Sequence, residues 1–544
     1  MSAHVAVDGL TITFGEPGQQ RAAVDDVTLK ITQGATFGIV GESGSGKSTL
    51  ARALLGHTRP GARVARGHVD LGGTDVFALH GKALRTFRGR SAAMVPQNPL
   101  SSLTPHCTIR QQLLELITLH TPLRGEAALR RVRELMDRTG LPDPAALQRR
   151  YPHELSGGQR QRVVIASVLV AKPSLIVLDE PTTALDKTVE ARVLALVTEV
   201  AAEIGATLVY VSHDLNVVGA ICEHVAVMKD GRLVEEGKTR AIFADPRAPY
   251  TRRLVEAIPI LKAAPPPPTG HPPQTVLAAE AVTFQYRRRG VFKRGGPAVL
   301  NNVSFQLCVG ETLGLVGESG SGKSTLASLI AGAVSGHSGT IRLQDAVLAG
   351  PARQRARALR RRVQMVFQDP LSSLNPAQTV GEIVGRPARL YFGDTAAQAH
   401  KKSVALLAEL DLPAELLTRR PRELSGGQQQ RVAVARALAA DPDVLICDEV
   451  TSALDVTVQA SLIALLKRLQ RERGIACLFI SHDLAVVSDI AHRIMVLERG
   501  EVRDYGPRDQ VIASPETAYT KMLLDAFRAT QALRQERARE ALAS

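Results

Sequence analysis

Short apolar runs recur along the chain, and each ends in a distinctive polar string. Phe37–Val40 (FGIV) runs into GESGSGKST at 41–49, and Leu313–Val316 (LGLV) runs into the same nine residues at 317–325. Apolar runs this short, bounded by glycine, read as buried strands. Each copy of the string then opens a leucine- and alanine-rich stretch, so the unit is strand, glycine loop, helix. LIVLDE at 175–180 and VLICDE at 444–449 read as strands that end in two acids. VYVSHD at 209–214 and LFISHD at 478–483 are β-rich segments that end in a histidine and an acid. The apolar residues of VVIASVLVA at 163–171 read as the buried face of a helix. QALRQERAREALAS at the C-terminus reads as a solvated amphipathic helix. No run of eighteen mostly apolar residues occurs, so no membrane span is expected, and MSAHVAVDGL lacks the charged and apolar regions of a signal peptide.

The strings repeat with their spacing. Asp179 lies 23 positions after Ser156, and Asp448 lies 23 after Ser425. His213 lies 33 positions after Glu180, and His482 lies 33 after Glu449. From Lys47 to Gln97 the interval is 50, and from Lys323 to Gln368 it is 45, so the looser stretch lies in the first third of each copy. A period this long is not that of a solenoid. It marks two whole domains, each long enough for its own core. The Pro- and Gly-rich segment KAAPPPPTGHPPQT reads as an extended spacer. The expected division is therefore a first domain at 1–261, a linker at 262–275 and a second domain at 276–544.

GESGSGKST fits the phosphate-cradling loop G-x-x-x-x-G-K-[ST]. Its glycines let successive backbone N–H groups point into one concavity at a helix N-terminus, where phosphate is favoured. Lys47 and Lys323 can reach β- and γ-phosphates, and the Ser48 and Ser324 hydroxyls can ligate Mg²⁺. Phosphoryl transfer to water needs neutralised phosphate oxygens and a positioned water. A carboxylate just past a buried strand end, with a histidine nearby, can supply the second.

Composition narrows the partners. The net charge of +14 is mostly arginine and largely diffuse, with two dense patches, RRRGVFKR at 287–294 and RQRARALRRR at 353–362. A solvated face, an anionic membrane surface and a nucleic-acid surface are the candidate readings. Aromatic residues are only 3% of the chain and Trp is absent, so there is no base-stacking platform and no nucleic-acid partner is expected. Five scattered cysteines, at 107, 222, 308, 447 and 477, include no C-x-x-C pair. They suit a reducing cytosol and argue against structural zinc or an iron–sulfur cluster. Cys447 reads as a small buried hydrophobe.

With LSGGQ at 155–159 and 424–428 between loop and acids, the set resembles the ATP-binding cassette (ABC) superfamily over nearly the whole chain. The resemblance implies an α/β fold of two tandem P-loop (RecA-like) nucleotide-binding domains, each with an antiparallel β subdomain and a helical signature subdomain. It implies ATP and Mg²⁺ as cofactors. In the first half, Gly41, Ser43, Gly44, Ser45, Gly46, Lys47, Ser48 and Thr49 match the nucleotide loop. Ser156, Gly157, Gly158 and Gln159 match the signature, and Phe14 matches the adenine-stacking aromatic. Asp179 and Gln97 match the metal-side residues together with Ser48. Glu180 matches the catalytic base, His213 the switch histidine, Gln97 the sensor of metal and water, and Asp186 the D-loop. In the second half the loop is Gly317, Ser319, Gly320, Ser321, Gly322, Lys323, Ser324 and Thr325. The signature is Ser425, Gly426, Gly427 and Gln428, with Tyr286 as the adenine aromatic. Ser324, Gln368 and Asp448 fall on the metal side, Glu449, His482 and Gln368 on the catalytic side, and Asp455 on the D-loop. The resemblance also implies that each loop is completed by the other half's signature, Lys47 with Ser425 and Lys323 with Ser156. Two departures stand out between the halves: Val450 replaces Pro181, and Ser167 stands where the second half has Arg436.

QNPLSSLTP at 97–105, QDPLSSLNP at 368–376, and DPRAPYTRRLVEAIP at 245–259 are similar to segments of the peptide/nickel importer ATPases. SPETAYTKMLLDAF at 514–527 repeats that tail, with Ala518 in place of the proline. The implied function is an ATP-hydrolysing motor for uptake of di- or oligopeptides, or of glutathione-like peptides or nickel chelates. The implied partners are two transmembrane permease subunits, which dock near 98–115 and 369–385, and an extracytoplasmic solute-binding protein. The chain would then sit peripherally on the cytoplasmic face of the membrane. A twin-cassette protein acting on the ribosome or DNA is the alternative. The short Pro-rich linker, the glutamine that closes both signatures and the lack of cysteine pairs weigh against it. The helical insertions are expected at roughly 100–170 and 371–438, with helix-rich tails after each core.

Overall fold

The computed structural model describes residues 3–15, 20–97, 99, 102–181, 187–259, 261, 274–286, 298–452, 454–525 and 527–528, the side chains of 3, 187–189 and 191 excepted. Asp186, most of the proline-rich linker, the arginine run at 287–294 and the terminal segment QALRQERAREALAS lie outside the described residues. The chain forms two compact units, with main bodies Met1–Ile258 and, for the second, Pro259–Leu454 and Val458–Phe527.

In the first unit a four-stranded antiparallel sheet places Ala3–Phe14 between Arg21–Thr32 and Ala62–Leu71, with the short Thr74–Asp75 at the edge. A six-stranded sheet follows in the order Arg232–Lys238, His224–Lys229, Thr36–Val40, Thr207–Ser212, Leu175–Asp179 and Ala92–Val95. Every pairing in it is parallel except that of the Arg232–Lys238 edge. Leu175–Asp179 and Thr207–Ser212 are buried at every position, which is why they read as unbroken apolar runs rather than alternating ones. The helices Ile109–His120, Gly125–Arg138 and Gly157–Val168 form the helical subdomain. The first of these is fixed at its start by a Thr108–Gln111 capping box.

The second unit repeats this plan. Its antiparallel sheet runs Leu300–Cys308, Thr275–Phe284, Ser338–Leu343 and Ala346–Val347. Its six-stranded sheet runs Val363–Val366, Val444–Asp448, Ala476–Ile480, Thr312–Val316, Arg493–Glu498 and Glu501–Pro507. Here the helical subdomain contains Val380–Pro387, a π-helical turn at Ala388–Phe392, Ala396–Glu409 and Gly426–Leu438.

The arginine cluster at 353–362 is in good part structural. Arg355 is buried and donates to the carbonyls of Ile330, Leu329, Leu348 and Gly350 at 2.6–3.2 Å, which caps the end of the helix Lys323–Ala331. Arg361 and Arg362 pair with Asp441 and Asp443. Four of the five cysteines are buried, Cys447 among them, and all five are free thiols.

After its last hairpin each unit carries a helical tail pinned by one acid. In the second unit Asp504 accepts from the Glu516 amide at 2.8 Å and from the Thr517 hydroxyl at 2.6 Å, and also from the Thr520 hydroxyl. Burial alone would raise this carboxyl, but these donors outweigh it and hold its pKa below the usual 3.8. Its contribution is therefore complete above the unfolded-state value and disappears as pH falls through the lowered folded value. Asp504→Asn should flatten the acid limb of thermal stability below about pH 4, read as melting temperature against pH, with little effect on the slope near neutrality.

Candidate functional site

In both units the chemistry-bearing residues stand at the carboxyl ends of parallel strands, where ligands of open α/β sheets bind. Val40 leads into Gly41, Leu178 into Asp179 and Glu180, Ser212 into His213, and Val95 towards Gln97. The strands Thr36–Val40 and Leu175–Asp179 both pair with Thr207–Ser212, so their ends share one level.

The loop after the first strand has little freedom. A Cβ on Gly41 would stand 2.2 Å from the Met228 carbonyl oxygen, and one on Gly317 would stand 2.1 Å from that of Leu497. Gly46 and Gly322 adopt φ +98° and +105° as they open their helices, a conformation glycine takes without steric cost. Lys47 is buried; its ammonium donates to the carbonyls of Gly41 and Glu42, both at 2.7 Å, and burial lowers its pKa. Lys323 makes the same bonds to Gly317 and Glu318, at 2.7 and 2.8 Å. Ser45 and Ser321 are buried within the loops, whereas Ser43 and Gly44 face outward.

Ser48 donates to Asp179 at 2.8 Å and Ser324 to Asp448 at 3.1 Å. This oxygen pair suits a hard cation such as Mg²⁺, which is held by one or two carboxylates together with substrate phosphates. The second carboxylate oxygen of Asp179 is buried and makes no hydrogen bond. Among the described residues no group of three or more His, Cys, Asp or Glu could hold a metal without such help. Burial raises the pKa of both aspartates.

Next to each aspartate, the glutamate turns off the strand at φ +47° for Glu180 and +48° for Glu449. Gln97 donates to one oxygen of Glu180 at 2.8 Å, and His213 Nδ1 lies 3.1 Å from the other. Gln368 stands 2.8 Å from Glu449, and His482 Nδ1 stands 3.6 Å from it. Burial opposes a proton on His213, but the Glu180 hydrogen bond and the nearby carboxylates prevail and raise its pKa. The His482 imidazole facing it is the chief cause that lowers the pKa of Glu449.

The signature serines cap their helices. Gln159 and Gln428 close capping boxes with Ser156 and Ser425, and Gly157 and Gly426 begin the helices that follow. Tyr286 is half exposed, with its hydroxyl 3.3 Å from Thr325 and its ring edge-on to Phe284. Phe14 ends its strand, paired with Arg21 and Ala62.

The departures have distinct outcomes. Val450 and Pro181 are both buried, and neither displaces a polar group of the site. Arg436 ties its signature helix to the segment after Gln368, donating to the Ser373 carbonyl at 2.5 Å. Ser167 instead donates to Val164 of its own helix at 2.6 Å. Ser167 lines a cavity of about 420 Å³ together with Arg52, His57, Arg88 and His120. Arg52, 3.7 Å from Asp179, has no basic counterpart in the second unit, where Ser328 takes its place; only a comparison of the two repeats reveals it.

Residues 24–183 and 300–452 match the family model described as ABC transporter. The chain belongs to the ABC transporter family. Residues 234–290 further match the model for the oligopeptide/dipeptide transporter C-terminal region. An uncharacterized ABC transporter ATP-binding protein YejF from Escherichia coli K12 is 40% identical, with 96% of this chain and 98% of that protein covered. The glutathione import ATP-binding protein GsiA of Salmonella paratyphi A is 40% identical over 96% of this chain and 89% of its own length. The peptidoglycan transport ATP-binding protein YejF of Agrobacterium fabrum is 38% identical, with 96% of each chain covered. This ABC protein thus binds ATP and is an ATPase, the energising part of a transporter whose permeases are separate partners. Among its described residues no helix is long and apolar enough to cross a membrane.

The Arg436 bridge has a measurable value. Arg436→Ala should destabilise the second cassette by about 1–3 kcal/mol, seen as a lowered midpoint in urea, whereas Ser167→Ala should shift it by less than about 0.5 kcal/mol.

Proposed function

We propose that this ABC ATPase drives uptake of short peptides, with glutathione-like and peptidoglycan-derived peptides inside the same class. In this reading it works through two permease subunits fed by an extracytoplasmic binding protein, bound peripherally at the cytoplasmic membrane face. The observation that carries the catalytic half is the twofold Gln–Glu–His arrangement. Each glutamate has one oxygen against a glutamine amide and the other facing a histidine. The solute class rests on the match at 234–290 and on the names of the relatives.

Glu180 and Glu449 accept the proton of the attacking water. His213 and His482 hold those carboxylates in place, and Gln97 and Gln368 fix their other oxygens. Lys47, Lys323 and the loop amides bind the β- and γ-phosphates. Ser48 with Asp179, and Ser324 with Asp448, would hold Mg²⁺, which supplies charge neutralisation on the phosphate oxygens. Phe14 and Tyr286 stack on adenine. The signatures at Ser156 and Ser425 are assigned to the γ-phosphate, each serving the nucleotide bound to the other cassette's loop.

Both cassettes keep every reactive group, so both should turn over. Glu180→Gln and Glu449→Gln should each lower steady-state phosphate release by more than half, and the double variant by about 10²–10⁴-fold. Full turnover by either single variant would remove that site from the proposal. For the solute, the chain reconstituted with the permease pair encoded beside it should show ATPase stimulation by binding protein loaded with di- or tripeptides. No association with those permeases would sink the importer reading, and stimulation by nickel chelates alone would sink the peptide class.

A further inference from the structure

In each cassette the C-terminal tail reaches back to the nucleotide loop. Tyr250, in the tail helix Pro249–Glu256, accepts a hydrogen bond on its hydroxyl from the backbone N–H of Glu42 at 3.1 Å. Tyr519 accepts one from the N–H of Glu318, also at 3.1 Å. The two contacts arise in different local sequence, since Pro249 precedes the first tyrosine and Ala518 the second. Their anchors differ as well. Glu235 holds the first tail through the amides of Arg247 and Ala248, at 2.9 and 3.1 Å, and Asp504 does the same work in the second. Each anchor acid precedes its tyrosine by 15 positions. The same tyrosine-to-amide contact thus stands in both cassettes although the acid that anchors the tail has changed.

What the tyrosine holds gives the contact its meaning. Glu42 is the second residue of the loop, and its carbonyl takes the Lys47 ammonium while its N–H is taken by Tyr250. Glu318 stands in the same way between Lys323 and Tyr519. A lysine that turns towards phosphate loosens its hold on that carbonyl, and the loop then depends on the N–H end for its shape. Tyr250 is buried, and burial pushes its pKa up to about 12, so the hydroxyl stays protonated at neutral pH. Tyr250 also lies under the Lys229 ammonium, 5.2 Å from the ring centroid, which fixes the ring.

We propose that Tyr250 and Tyr519 are positioning residues for ATP, holding the second residue of each P-loop so that the phosphate cradle is formed before nucleotide arrives. The inference rests on 41–49 and 317–325 being the nucleotide loops. It extends to the tail a part in catalysis that phosphate-loop spacing alone does not indicate.

The test uses the full chain with Glu180→Gln and Glu449→Gln, so that bound ATP persists, and reads ATP affinity by calorimetry beside melting temperature. Tyr250→Phe should weaken one of the two ATP sites about three- to tenfold, the worth of one net hydrogen bond. Tyr519→Phe should weaken the other, and the double variant both. Glu235→Gln, which loosens the tail but keeps the hydroxyl, should weaken ATP binding less than Tyr250→Phe. A lowered melting temperature with unchanged ATP affinity would make the tyrosines merely structural and overturn the proposal. Lys47→Ala separates the layers. If it leaves ATP binding intact, the loop reading falls and this inference with it; if it weakens ATP binding while Tyr250→Phe does not, this inference alone falls.

Discussion

The N–H of Glu180 donates to the Val211 carbonyl at 2.9 Å, and that of Glu449 to Ile480 at 3.0 Å. Each bond is the last rung of a parallel ladder, made by a residue that has already left β geometry. At φ +47° and +48° the two glutamates sit in the left-handed region, at a cost of roughly 1–3 kcal/mol each. The ladder on one side and the buried aspartate on the other hold that conformation. Without the turn, the glutamate would continue the strand's alternation and could not face Gln97 and His213 together. The rest of the site is arranged around this bend, because its partners come from the two flanking strands.

Comparison of the two cassettes shows which features tolerate change. The lysine bonds, the serine–aspartate pair and the tail tyrosine recur within a few tenths of an ångström, and the glutamate bend recurs at φ +47° and +48°. One layer further out the chain varies: Arg52 against Ser328, Ser167 against Arg436, Glu235 against Asp504. Close groups are constrained because hydrogen bonds lose strength steeply with distance and angle. Outer positions vary because several side chains can satisfy one carbonyl or cap one helix.

Much of this was legible in the sequence for a physical reason. Phosphate loops and buried parallel strands are local features, so FGIV followed by GESGSGKST, and LIVLDE with its second copy, announce themselves in a few residues. Fixed spacing between the copies then reveals the domain plan. What could not be read were contacts across long intervals. Tyr250 meets Glu42 over 208 positions, and Tyr519 meets Glu318 over 201. The repeat of the tail was visible, but nothing in P-Y-T or A-Y-T names the amide it reaches. The arginine cluster at 353–362 misleads in the opposite direction. A run of cations suggests an outward electrostatic surface, yet Arg355 is spent on four backbone carbonyls and Arg361 and Arg362 on aspartates. Charge density along a chain does not tell which charges the fold consumes.

Gln97 carries the consequence furthest. It follows the edge strand Ala92–Val95 and precedes the helices of the helical subdomain, so it stands where the sheet hands the chain over. Its amide lies 2.8 Å from the Glu180 carboxylate. The chain crosses between sheet and helical subdomain here and again between Gly157–Val168 and Leu175–Asp179, and only the first crossing bonds Glu180 through Gln97. Because a hydrogen bond weakens steeply with distance and angle, the Gln97–Glu180 bond is sensitive to a displacement of less than about 1 Å at this crossing. The second cassette reinforces the same joint, since Arg436 clamps its signature helix to Ser373, five positions beyond Gln368. The first lacks that clamp and has the cavity beside Ser167. The two cassettes therefore join their signature helices to this segment through different contacts, Arg436 to Ser373 in the second and none from Ser167, which bonds its own helix, in the first.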